Sequence, residues 1–248
     1  MRSHKELMKD LSHRNLVIPY LKNAMLADNW PDSYQVTVDS RPYYGHGDGY
    51  FHPSTHGLMG ERELYYRFHP ETRDLMIPED RTVQDQLTLS MGSALHAVCQ
   101  TQFQMAKVLT PQNCEVEFII AEHHVRGRAD MILDHPTEGP LVVEFKTQNS
   151  RAFGFQDEMK DLWEMQLSIQ LYGLGHKRGV LLVMESGHPY RMREFHYNRN
   201  DDLLARTFAK FDYVRECIAA NKVPPHCCSK GSAAMKKCPA RHTCWLAA

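Results

Sequence analysis

No stretch of these 248 residues is apolar for long enough to span a bilayer, and no basic segment near the start is followed by the apolar run of an export leader. The expectation is a soluble, cytoplasmic protein. Charge of one sign is not in excess either: Lys plus Arg number 29 against 30 Asp plus Glu, a net charge of −1. Global attraction to a polyanion is thereby excluded, and any surface for nucleic acid must be a local patch. Internal repeats are absent. Cysteine is too thin for a disulfide framework, with 7 in a chain well above the size of the small secreted domains that need one. Free thiols or metal ligands are expected instead.

What is present is enough apolar residue, 42%, for a packed interior. The composition divides the chain into a helical or irregular addition over residues 1–82, a core over 83–222 and a cysteine-rich tail over 223–248. The core is organised around two apolar runs that carry charge. Gly127-Arg128-Ala129-Asp130-Met131-Ile132-Leu133 is followed, after a turn marked by Pro136, Gly139 and Pro140, by Leu141-Val142-Val143-Glu144-Phe145-Lys146-Thr147. Glu144 and Lys146 are two apart and share a strand face, while Val143 and Phe145 take the other. Asp130 falls where the first strand can bring it beside Glu144. Two carboxylates held that close resist ionising unless a cation joins them, and hard oxygen ligands suit Mg²⁺ or Mn²⁺. Lys146 would then orient or activate an attacking water. The plain alternative is a solvated hairpin with a surface Glu–Lys pair.

The flanking elements are read in order. Leu7, Leu11, Leu16, Leu21 and Met25 recur at loosely helical spacing in a lead-in to about Ala27, and residues 29–53 form an irregular segment with Tyr43, Tyr44 and Tyr50. Ser54 is the candidate cap of a helix carrying Arg62 and Tyr66. A helix over about Val83–Lys107 carries a stripe of Leu87, Leu89, Met91, Leu95, Val98 and Phe103, with Gly92 and His96 sharing a face. Glu115–Glu122 is a strand and His123-His124 a turn. After the polar loop holding Arg151, a helix over about Gln156–His176 places Met159, Trp163, Gln166 and Gln170 on one face. Gly179–Glu185 is a strand buried on both faces. Tyr190–Tyr197 is another, with Arg191 and Arg193 as candidate phosphate contacts, and Asp201–Ala220 is an amphipathic helix.

The pattern Gly-X-X-Asp, then an apolar strand with Glu-X-Lys, then a helix carrying Gln resembles the PD-(D/E)XK nucleases, and among them the RecB-like exonucleases of phages, recombination complexes and CRISPR adaptation. The resemblance covers the chain from about His96 onward. It implies an α/β fold, a mixed sheet flanked by helices of restriction-endonuclease type, with the site at the edge of the central hairpin. It also implies that His96, Asp130 and Glu144 hold Mg²⁺ or Mn²⁺, that Lys146 handles the water and that Gln166 is the glutamine of the helix. The tyrosine expected four residues later falls on Gln170, and Tyr172 lies two further on. The implied activity is hydrolysis of DNA from its ends, in the host cytoplasm if a phage encodes the chain, with a recombination or CRISPR-adaptation protein as partner. An endonuclease, or a DNA-binding assembly subunit, is the alternative. In iron–sulfur members the chain closes as Cys-X-X-Cys-X5-Cys. Here Cys238 and Cys244 match the last two places and Met235 takes the first. Cys227 or Cys228 would substitute, with His56 as a further candidate, giving a site for Zn²⁺ or a 4Fe–4S cluster.

Overall fold

The computed structural model describes residues 15–27, 35, 48–77 and 82–245. Leu7, Leu11, Tyr43 and Tyr44 lie outside them. The protein is α/β. Five strands, β1 (Cys114–Ile120), β2 (Val125–His135), β3 (Gly139–Gln148), β4 (Arg178–Glu185) and β5 (Met192–Asn198), form one mixed sheet in that order. Only β3 and β4 are parallel, and the connection between them carries two helices, α5 (Ser150–Gly154) and α6 (Asp161–Gly173). A parallel pair needs such a crossover, whereas the other neighbours are joined by short turns.

Alternation along the strands divides the interior into two layers. Met131, Leu133, Leu141, Val143, Phe145, Val180 and Leu182 face α1 (Ile18–Met25) and α4 (Val83–Met105), meeting Leu21, Cys99 and Phe103. Val142, Leu181 and Val183 face α6 through Trp163, Leu167 and Leu171. β4 is buried from Gly179 to Glu185, as expected of a central strand with helices on both faces. Each fully buried Leu, Ile, Val or Phe stabilises the fold by about 1.5–3 kcal/mol relative to exposure. Beyond the β1–β2 end, α3 (Glu61–Phe68) packs on α7 (Asp201–Ala219) around Phe51, Leu64 and Phe211. No helix of the described residues is long and apolar enough to cross a membrane.

Three expectations about these elements need correction. The first half of α4 does not bury its stripe: Leu87, Leu89 and Met91 are all more than half exposed, and close packing begins near Leu95. That half is held by its own ends, through a capping box in which Thr82 and Asp85 each take the other's backbone N–H. The helix expected over about Gln156–His176 is shorter, α6 running from Asp161 to Gly173, so Met159 is in the loop before it, and the expected polar loop holding Arg151 instead carries the short helix α5. Ser54 is not a cap; α2 (Pro53–His56) has Pro53 at its first position and His52 before it.

Candidate active site

The β2–β3 ladder runs from His135↔Gly139 to Met131↔Val143 and ends there. Past that point the Asp130 carboxylate stands between the strands and accepts the Phe145 backbone N–H at 2.7 Å. The β1–β2 pairs Cys114↔Met131 and Val116↔Ala129 bracket Glu115 and Asp130, so Glu115, Asp130 and Glu144 fall in one row across three strands. Glu115 adopts a left-handed backbone, φ 53°, an uncommon conformation for a side-chain-bearing residue.

On the α6 side, Glu144 is 1% exposed and fully engaged. Gln166 Nε2 donates to its Oε1 at 2.6 Å, Gln170 Nε2 to its Oε2 at 2.6 Å, and Lys146 Nζ lies 2.7 Å from Oε1. Gln166 Oε1 in turn accepts from Lys146 Nζ at 3.0 Å, and Gln170 Nε2 also reaches the Arg128 carbonyl at 3.0 Å. Burial alone would lower the Lys146 ammonium, but Glu144 and Asp130 outweigh it and hold it above the ordinary lysine value. Lys146 thus donates to both Glu144 and Gln166.

On the α4 side, the His96 ring stacks on Phe145, with centroids 5.5 Å apart, and its Nε2 lies 3.7 Å from Asp130 Oδ2 and 3.6 Å from Glu115 Oε1. Gln100, one turn on, donates to Glu115 Oε1 at 2.8 Å and to the Asp130 carbonyl at 3.0 Å. Burial first, and then the neighbouring Glu144, push the Asp130 carboxyl up to about 7, against a smaller opposing pull from His96 and Lys146. A carboxyl so placed is poised to exchange its proton for a cation. Among the described residues, His96, Glu115 and Asp130 are the three whose ligand atoms lie within 4.8 Å of one another. One imidazole and two carboxylates fit a hard divalent ion. An open cavity of about 220 Å³ adjoins them, with His52, Ser54, Arg128 and Lys146 in its walls.

No family model matches the chain, and no curated protein matches it in sequence. Solved structures with a similar fold include SSO0001, at 17% identity over 98% of this chain and 98% of that one, with a TM-score of 0.48. They also include an alkaline exonuclease, LHK-Exo, from Laribacter hongkongensis, at 15% identity over 70% of this chain and 89% of that one, with a TM-score of 0.49. LHK-Exo in complex with dAMP matches at 14% identity over the same shares, 70% and 89%, again with a TM-score of 0.49. At such scores the likeness assigns neither family nor activity to this chain.

The structure thus brings His96, Asp130, Glu144, Lys146, Gln166 and Gln170 together. It does not bring Tyr172 to them: that ring packs on Phe208, and its hydroxyl points at Glu122. Arg191 and Arg193 lie over the Phe153 ring at 5.1 and 5.0 Å, where Arg191 also pairs with the buried Glu185 at 3.0 Å. Arg151 is exposed on α5. In the tail, Cys227 packs against Gly60, which a side chain there would displace, and His226 stacks on Trp245 at 3.8 Å. Cys244 Sγ lies 3.4 Å from His226 Nδ1, and Cys238 and Cys244 border the α3–α7 core. Among the described residues the tail presents no three ligand atoms within 4.8 Å of one another; burial, and with it the neighbouring Cys227 and Cys228, raises the thiols of Cys238 and Cys244, so the four cysteines lie near one another.

Two participants escaped the sequence reading. Glu115 gives no local signal, since its place depends on the β1–β2 register. Gln100 had one: it lies four residues after His96, on the same helix face.

Proposed function

We propose that this protein is a divalent-metal-dependent nuclease of the PD-(D/E)XK type that hydrolyses DNA from its ends, in recombination, repair or phage DNA processing. The observation that carries the reading is the convergence of Asp130, Glu144, Lys146 and His96 where β2 and β3 part. His96, Asp130 and Glu144, with Glu115 now beside them, would hold Mg²⁺ or Mn²⁺. When bound, the ion supplies Lewis-acid stabilisation to the phosphoryl group. The chain's own contribution is positional. Gln166 bridges Lys146 and Glu144, so the ammonium keeps one place and presents its charge where negative charge builds on phosphorus. Gln170 steadies the other oxygen of Glu144. Arg151, Arg191 and Arg193 would meet the strand's phosphates further along.

The second reading is a DNA-binding or assembly subunit with a weak site. It draws on the saturation of Glu144, whose two oxygens are both taken by amide donors and the lysine. End-labelled linear DNA and closed circular DNA, each incubated with Mg²⁺, Mn²⁺ or chelator, separate the two, with Lys146→Ala as control. Metal-dependent loss of linear DNA alone, abolished in the variant, is the expected result. Cutting of the circle would instead mean an endonuclease, and no cleavage by a folded, metal-loaded sample would leave the binding role.

A further inference from the structure

Glu144 spends both of its oxygens on Gln166, Gln170 and Lys146, which leaves it little to offer an ion. Glu115 is the other carboxylate that meets His96 and Asp130 among the described residues. Its own strand does not secure it there. The residue has a left-handed backbone, φ 53°, a conformation that a side-chain-bearing residue keeps only where its surroundings hold it. Two donors supply the hold. Arg128 Nε, on the neighbouring β2, lies 2.6 Å from Glu115 Oε2, and Gln100 Nε2, on α4, donates to Oε1 at 2.8 Å.

Gln100 holds more than one acid. The same nitrogen donates to the Asp130 main-chain carbonyl at 3.0 Å and lies 3.2 Å from His96 Nε2. His96 stands one turn back on the same face of α4, so a single amide touches all three residues of the group. An imidazole ligates a metal through a nitrogen that carries no hydrogen, and a donor amide at 3.2 Å suits that form of Nε2. On the acid, Glu115 Oε1 keeps a second lone pair after accepting from Gln100.

We infer, on the footing of the metal-dependent function proposed above, that Gln100 is a positioning residue: its amide sets Glu115 beside His96 and Asp130, so that the three face one divalent ion. Outer partners of this kind orient the atoms that touch the metal, and removing one typically lowers affinity by about 10- to 100-fold. Gln100 also ties α4, which brings His96, to β1 and β2, which bring the two acids.

A double-mutant cycle read by metal binding tests this. Gln100→Met keeps the side chain's length and a good helix former but has no donor; Gln100→Ala is a second truncation, and Glu115→Ala removes the acid. Mn²⁺ titration calorimetry of the full chain, stripped beforehand with chelator, is read for wild type, each variant and the Gln100→Met, Glu115→Ala pair, with circular dichroism to verify the fold. The expected result is Mn²⁺ binding weakened at least about tenfold in both Gln100 variants. In the Glu115→Ala chain, Gln100→Met should then cost no more than about threefold, because the residue it acts through is gone. A loss that comes from general loosening of α4 would persist undiminished in that chain, and overturns the inference. So do Gln100 variants that bind Mn²⁺ as wild type does, a result that leaves the proposed function standing. A folded wild type that takes up no Mn²⁺ overturns both.

Discussion

Replacing Asp130 by Asn tests the electrostatic account of the site in the absence of metal. The Asp130 carboxyl is displaced from its ordinary 3.8 to about 7 by burial and by Glu144. The folded chain therefore keeps this proton until about pH 7, while the unfolded chain gives it up near 3.8. The stabilisation linked to it is complete below 3.8 and is lost as pH rises through that window. At 1.36 kcal/mol per pH unit, the loss approaches about 4 kcal/mol at pH 8, an upper bound that relaxation of the site reduces. Asp130→Asn is neutral at every pH and keeps an oxygen to accept the Phe145 N–H. In chelator the variant should exceed wild type by about 2–4 kcal/mol at pH 8 and by much less at pH 5. Guanidinium unfolding at the two pH values measures both gaps, and added Mg²⁺ should narrow the first by restoring the wild type. A variant no more stable than wild type at pH 8, or a gap that ignores pH, would refute the reasoning.

Three further outcomes are expected. Glu115→Gln should weaken Mn²⁺ binding by about tenfold or more in titration calorimetry while leaving the fold unchanged. Gly127→Ala should cost about 1–3 kcal/mol in urea unfolding, because its new methyl would sit 2.4 Å from Phe118 Cζ; Phe118→Leu in the same chain should recover part of that. Glu185, held near 2 by Arg191, stabilises the fold above its ordinary range, and that stabilisation is lost as pH falls toward 2. Acid unfolding monitored by circular dichroism should accordingly begin at higher pH in Arg191→Ala.

The hairpin was legible because strand alternation is a local property. Glu144 and Lys146 share a face, and Asp130 follows from the turn between the strands. Cross-strand and through-space relations were not. Glu115 meets Asp130 only through the β1–β2 register and a left-handed backbone, neither of which leaves a pattern in the letters. Arg191, expected within a strand, precedes β5 and is bound to Glu185, a buried acid that apolar patterning conceals at the end of β4. Gln170, met where a tyrosine was expected, shows that the position serves as a hydrogen-bond donor to Glu144 and that an amide can fill it. The exposed stripe of α4 misled for the opposite reason. Helical spacing of Leu87 and Met91 records amphipathicity but not whether another element lies against it.

Gly127 illustrates how far a small residue can act. The Phe118 ring lies over both Gly127 on β2 and Gly173 on α6, closer than a methyl at either place would allow. Because β2 and α6 meet across that ring, Gln170 reaches both the Arg128 carbonyl and Glu144.

The bond from the Phe145 amide to the Asp130 carboxylate carries one more consequence. It ties a single main-chain proton to whatever Asp130 holds. A proton, a cation or nothing on that carboxylate each leaves a different acceptor for the same N–H. The Phe145 ¹⁵N–¹H resonance is thus a built-in gauge of occupancy, readable without substrate, and its solvent exchange would time how long the site stays filled.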